Sequence, residues 1–366
     1  MASGELGAVQ SSRLVRIIEL SKTHLSGGAG RRPSASTFYP EKYIEMRSPA
    51  GNGPELSVIL ATDNFERVRH VVERLGAQTI SKKIELVLVT SSPDEVKAHT
   101  TLNDTFHSII VVPLDTVAPL SMSRAAGVRA SSGPYIFIAE THAYPDPELA
   151  EKIVALLAEG WSVVVPGIRN ANPRNRLSWA GFLSDYGAWS RTLPAGEIQR
   201  APAHNIGFRR EVLTDFGDRL EQAFGFGDDL FLGLKSRGQR IWFEPVPGIE
   251  HVNIDRLGHW VRERFTSGTV IGGTRSKGWT WKRRLLYICA SPLIPFVILA
   301  RVRRGVQEVA RRETLPAGTI AAIVGGAFLK IAGEATGYAR GPSKEYENRM
   351  TAYEIKKLAL NSGEEN

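Results

Sequence analysis

Four apolar runs, at residues 56–61, 84–89, 109–112 and 135–139, recur at intervals that leave room for one helix or loop between each pair. Continuous rather than alternating apolar character marks strands covered on both faces, and strands separated in this rhythm form a mostly parallel sheet flanked by helices. After the first run, Val68, Val71, Val72 and Leu75 lie on one face of a helix. After the fourth, Asp146 as N-cap and Pro147 as first residue open a helix predicted over 147–159, which Gly160 stops before a strand at 163–165. Residues 169–200 show no period and are expected to cover one side of a site. The first 54 residues, with a short amphipathic piece at 14–20 and then Ser, Gly and Pro, read as a partly flexible extension.

A chain of 366 residues, 42% of them hydrophobic, can bury a large core. Its single cysteine, Cys289, excludes an internal disulfide. The N-terminal residues lack a basic start followed by an apolar run, so a reducing, cytoplasmic address is expected. The net charge is +8. Residues 274–312 hold ten Lys or Arg against the single acid Glu308, so this segment accounts for the whole excess. The basic residues flank the apolar run 285–300, the pattern of an anionic membrane surface as partner. Nucleic acid would instead require aromatic and basic residues interleaved on a polar face, and is excluded on this ground.

Two segments carry residues suited to chemistry. In Y-I-F-I-A-E-T-H, residues 135–142, Glu140 and His142 fall just past the carboxyl end of the fourth strand, where ligands of open α/β sheets collect. They suit a metal ion, or simply hydrogen-bond to each other at a strand end. In G-F-G-D-D-L-F-L-G-L-K-S-R-G, residues 225–238, Asp228 and Asp229 precede a helix that Gly238 ends. Such acids cap a helix N-terminus or serve as a general base, and both roles are compatible.

Taken together, residues 55 to about 255 resemble a family 2 glycosyltransferase, an inverting enzyme of GT-A fold. The resemblance implies a nucleoside-diphosphate-sugar donor, with Glu-x-His standing where the family carries Asp-x-Asp. Glu140, His142 and His251 would then hold a divalent cation, Mn²⁺ or Mg²⁺, with nitrogen ligands favouring Mn²⁺. It further implies that Asp229 is the general base and that Asp228 orients the acceptor. Ala61, Thr62 and Asp63 would border the nucleobase, as would Ser92, where relatives carry acids. Arg124, in S-R-A-A-G, would face the base or phosphates. His204 and Asn205, in H-N-I-G-F-R-R, would touch the sugar, and Arg209 or Arg210 a phosphate.

The run 285–300 would span about 24 Å as a helix, short of the ~30 Å hydrocarbon core. Pro292 and Pro295 interrupt it, and basic clusters at both ends oppose a simple crossing. With a second run at 315–329 broken by Gly318, Gly325 and Gly326, it reads as monotopic or re-entrant, anchored by Trp279 and Trp281. A soluble helical subdomain or a homo-oligomer interface would bury the same residues. The expected organisation is an extension over 1–54, a GT-A domain over 55–260 and a membrane-associated helical region over 261–366. The expected activity is transfer of a sugar to a lipid-linked or polysaccharide acceptor at the cytoplasmic membrane face. Transfer to a soluble acceptor, and a noncatalytic nucleotide-sugar-binding scaffold, are the alternatives.

Overall fold

The computed structural model describes residues 14–19, 42–47, 53–99, 105–226 and 229–363. The strands are β1 (Leu14–Glu19), β2 (Lys42–Arg47), β3 (Leu56–Thr62), β4 (Ile84–Thr90), β5 (Ser108–Pro113), β6 (Tyr135–Ile138), β7 (Ala143–Pro145), β8 (Val163–Asn170), β9 (Gly196–Ile198), β10 (Ile206–Arg209) and β11 (Ile241–His251). One sheet runs β1-β2-β5-β4-β3-β6-β10-β8-β11-β7, with β9 on β11. Its centre, β5-β4-β3-β6, is parallel, as the continuous apolar runs require. β10 is antiparallel to both β6 and β8, making the sheet mixed. This is the GT-A-like α/β fold that the sequence led us to expect.

The helices of this layer are α1 (Arg69–Gly76), α2 (Pro93–His99), α3 (Leu120–Ala130), α4 (Leu149–Ala158), α5 (Arg176–Asp185), α6 (Arg210–Thr214), α7 (Leu220–Ala223) and α8 (Asp229–Ser236). Alternate residues of β3 and β4 enter opposite cores. Ile59 and Val87 pack with α3 residues such as Ala126. Val58, Leu60, Leu86 and Leu88 pack with Val71 and Val72 of α1 and Ile153 of α4. Burying one such side chain contributes about 1.5–3 kcal/mol, so β3 and β4 anchor the sheet.

One local expectation is revised, and two others are made specific. The cap of α4 is Glu148, not Asp146. The Asp146 carboxylate instead accepts from Gly248 N at 2.8 Å and pairs with Arg169 and Arg191, tying the helix start to β11. Within the amphipathic piece at 14–20, Leu14–Glu19 form an edge strand, since β1 pairs with β2 and β2 with β5. The run 285–300 falls in two helices joined by a short turn at Ser291–Leu293, where Pro292 sits.

Beyond β11 the chain is helical: α9 (Leu257–Arg275), α10 (Trp281–Ala290), α11 (Ile294–Ala310), α12 (Thr319–Arg340), α13 (Lys344–Ile355) and α14 (Lys357–Ser362). α9 and α12 meet backbone to backbone along a glycine seam. A Cβ on Gly268 or Gly272 would lie 1.9–2.2 Å from carbonyls of Lys330 or Glu334, and one on Gly333 or Gly337 2.1–2.3 Å from those of Phe265 or Thr269. A third core joins the tail to the sheet layer through Ile168, Trp179, Phe182, Val309, Ile323 and Leu360. Trp281–Ala310 and Thr319–Arg340 are both long and apolar enough to cross a membrane. The apolar stretch of the first is only 11% buried, that of the second 39%. Trp281, Leu285, Leu286, Leu293, Phe296 and Val297 of the first are exposed.

Candidate active site

β6 ends at Ile138, and the chain enters β7 five residues later, so Glu140, Thr141 and His142 turn across the carboxyl edge of the sheet. His251, the last residue of β11, reaches the same place because β11 lies beside β7, in register with Ala143. All four side chains are buried. The Nε2 atoms of His142 and His251 face each other at 3.1 Å, and Glu140 Oε2 lies 3.7 Å from the first and 3.4 Å from the second.

Hydrogen bonds on the far side of each ring set the tautomers. His251 Nδ1 is 3.2 Å from Asn253 Oδ1, whose amide is oriented by donation from its Nδ2 to Asn170 Oδ1. A carbonyl oxygen only accepts, so Nδ1 carries the hydrogen. His142 Nδ1 lies 3.3 Å from Thr141 Oγ1, whose own hydrogen goes to the carbonyls of Glu354 and Ile355, so this Nδ1 also donates. Burial holds the pKa of His142 well below its usual value, so the ring is neutral. Two Nε2 lone pairs therefore converge at 3.1 Å beside a carboxylate, an arrangement that repels itself until a cation sits among them. The ~3 Å separation matches two ligands at right angles, each ~2.1 Å from one ion. The chemistry of the donor set thus fits a divalent metal, and these three residues are the one such cluster among the described residues.

The Glu140 carboxylate is held from several sides. Asn205 Nδ2 donates to Oε2 at 2.7 Å. Asn205 keeps a left-handed backbone, φ 54°, while its N–H bonds Ile138 O. Oε1 makes no hydrogen bond, with His204 Nε2 at 3.4 Å and Arg124 Nη2 at 4.0 Å. Burial opposes ionisation of Glu140, but attraction to any proton taken up by His204 or His142 outweighs it and holds the carboxyl well below its usual range. Burial also lowers the His204 pKa to about 4. Its Nε2 meets Tyr186 OH at 2.8 Å.

Next to this cluster opens a cavity of about 310 Å³ lined by Trp189, Phe224, Phe226, Phe231 and Trp260 and by Arg124, Asp185, Tyr186, His204, Glu263, Arg264, Glu354 and Lys357. Arg264 is clamped by Asp185 and Glu263. Ala61 and Arg124 border a smaller recess together with Glu140, His142 and Glu354.

Other expected residues lie elsewhere. Asp229 is the exposed first residue of α8, its Oδ2 accepting from Gln222 at 3.1 Å, and it borders a separate depression with Phe216 and Arg237. Asp228 lies outside the described residues. Gly225 and Phe226 before the pair, and Phe231 after it, line the main cavity. Thr62 is buried, donating to Asn64 O, and Asp63 pairs with Arg67. Ser92 N donates to Thr90 Oγ1 ahead of α2. Arg209 pairs with Glu211 and lines neither cavity. Arg210 donates to Gly133 O and Ser131 Oγ, holding the turn before β6.

The sequence reading missed the contribution of α13 and α14. Glu354 Oε2 lies 3.7 Å from His142 Nε2, and Lys357 Nζ donates to it at 2.9 Å. No motif surrounds them. Their one signal is an acid and a base three residues apart in sequence, a spacing common on solvated helix surfaces.

Residues 57–217 match the family model described as Glycosyl transferase family 2, which supports a glycosyltransferase. No curated protein matches the chain at comparable strength. Among solved structures, S. aureus TarS 1–349 in complex with UDP is 14% identical, with 76% of this chain and 90% of that one covered and a TM-score of 0.43. The mannosyltransferase PcManGT from Pyrobaculum calidifontis, in complex with GDP-Man and Mn²⁺, is 18% identical, with 86% and 89% covered and a TM-score of 0.44.

Proposed function

We propose that this glycosyltransferase moves a sugar, with inversion, from a nucleoside diphosphate to a lipid-linked or polysaccharide acceptor at the cytoplasmic face of an anionic membrane. The observation that carries the donor half is the convergence of two imidazole lone pairs and the Glu140 carboxylate at the sheet edge. Glu140, His142 and His251 would hold a divalent cation, which supplies Lewis-acid stabilisation of the departing diphosphate. The charge around the cavity supports this. Arg124, Arg264 and Lys357 face Glu140, Asp185, Glu263 and Glu354, so the protein alone offers no surplus of positive charge to a diphosphate.

Asn205 fixes the Glu140 carboxylate, and His204, on the cavity wall, borders the space for the donor sugar. Asp229, with Asp228 orienting the acceptor, takes the proton of the attacking hydroxyl. The support is sequence position, because the pair falls between Phe226 and Phe231, both of which line the cavity. For the membrane half, the support is the exposed apolar face of α10 and α11 beside Lys282, Arg283, Arg301, Arg303 and Arg304.

A donor screen tests the reading. Nucleoside-diphosphate sugars that raise the melting temperature only with Mn²⁺ present, and release nucleoside diphosphate on turnover, support it. Failure of every such donor to bind or turn over, with and without metal, overturns it.

A further inference from the structure

Glu354 and Lys357 form an ion pair brought to the sheet edge by the last two helices. Both line the cavity, and their side chains are only 15% and 8% exposed. The pair is held in place by backbone contacts on either side. Thr141 Oγ1 reaches the carbonyls of Glu354 and Ile355. Beyond Lys357, Arg256 donates to Asn361 O and Ser362 O, and Asn361 Nδ2 donates to Asn253 O. The helices are thus keyed to the two chain segments that carry His142 and His251.

Each end of the pair has a counterpart in the ligand that the site is proposed to take. Glu354 Oε2 is as far from His142 Nε2, 3.7 Å, as is the Glu140 oxygen in the metal cluster. Lys357 has three N–H donors and gives one to Glu354. A buried ion pair contributes little net stability, because desolvation of both charges offsets their attraction. Its place beside a metal-fitting cluster and on the cavity wall therefore points to a role in binding.

We propose that Glu354 and Lys357 are ligand-binding residues, and that a divalent cation bound with a diphosphate divides the pair. The Glu354 carboxylate turns to the cation as a fourth protein ligand, and the Lys357 ammonium turns to the phosphate oxygens. The two new contacts replace the one that is broken, so neither charge is left unpaired in the interior. This inference rests on the metal-dependent donor site proposed above and adds the tail as its fourth wall.

The test uses the full-length protein with Mn²⁺ alone, followed by electron paramagnetic resonance, and with inorganic pyrophosphate plus Mn²⁺, followed by calorimetry. Glu354→Gln is expected to weaken Mn²⁺ binding about tenfold. Lys357→Met should leave Mn²⁺ affinity within about twofold and weaken pyrophosphate binding about tenfold or more, and Lys357→Arg should restore most of it. Circular dichroism melts check that each variant folds, and should Lys357→Met not fold, Lys357→Gln takes its place. Wild-type-like affinity in both the Glu354→Gln and the Lys357→Met proteins overturns the inference, even with normal donor turnover. Mn²⁺ and pyrophosphate binding that responds to both substitutions, with no sugar transferred from any donor, overturns the proposed function and leaves the ion-pair exchange standing. No Mn²⁺ binding by the wild type overturns the exchange.

Discussion

Thr141 Oγ1 donates to the backbone carbonyl of Ile355 at 3.3 Å, joining residues 214 apart in the chain. This contact places the end of the helical tail against the sheet edge that carries Glu140 and His142. Deleting the tail to test membrane binding would therefore also dismantle the site, and point substitutions are the cleaner probe.

Replacing Lys282, Arg283, Arg301 and Arg303 by Glu is expected to release the protein from anionic liposomes while leaving its melting temperature nearly unchanged. Each basic residue near such a surface contributes about 1 kcal/mol, and none of the four belongs to the buried cores. Co-sedimentation at low salt measures this. Equal sedimentation of variant and wild type would remove the membrane from the reading.

Asp229→Asn should lower the rate of transfer by about 10²–10⁴, with donor affinity unchanged, because an amide keeps the shape of the carboxylate but takes no proton. Single-turnover rates and a separate donor titration read the two effects. A rate within about twofold of wild type would exclude Asp229 as the base.

His251→Ala is expected to weaken Mn²⁺ binding about tenfold or more, since it removes one of the two converging Nε2 atoms. Asn253→Ala, which frees His251 Nδ1, should give a smaller loss in the same direction. Both are read by titration with Mn²⁺ alone.

Without metal, stability should fall as pH drops from about 7 to 4. His204 titrates near its ordinary 6.5 when unfolded and at about 4 when folded. Between these values the unfolded chain binds a proton that the folded one does not, so acid favours unfolding, by on the order of 3 kcal/mol across the window. His142 shifts in the same direction and adds to the loss. Melting curves at several pH values, with a chelator present, check this. Stability independent of pH over that range would contradict the buried, neutral imidazoles.

Gly333→Ala should destabilise the fold by roughly 3 kcal/mol, because its Cβ would meet Phe265 O at 2.1 Å and neither backbone can retreat alone. Gly325→Ala, with open space around the new Cβ, is the control and should be neutral or slightly stabilising. Chemical denaturation of the two variants gives the comparison.

The central sheet was legible in the sequence because its period is local: four covered strands announce themselves as apolar runs. Glu140 and His142 were legible for the same reason, sitting one step past such a run. The pairing of β10 between β6 and β8 was not, since four residues, Ile206–Arg209, carry no pattern that specifies antiparallel partners. Glu354 and Lys357 were hidden more deeply. On α13 and α14 they look like any solvated pair, and only the contacts of Thr141, Asn253 and Arg256 with their neighbours bring them inside. The glycine seam was not legible either, because Gly333 and Gly337 lie past the apolar run 315–329 and sit in no motif. In the folded chain they allow α9 and α12 to touch.

The route of the tail back to Thr141 also sets the order in which this centre can be made. During synthesis His142 and His251, the two imidazoles of the cluster, both leave the ribosome with the strands of the sheet. The wall bearing Glu354 and Lys357 emerges more than a hundred residues later than His251. A chain that still lacks the tail therefore lacks that wall, and the order of synthesis makes Glu354 and Lys357 the last part of the centre to become available.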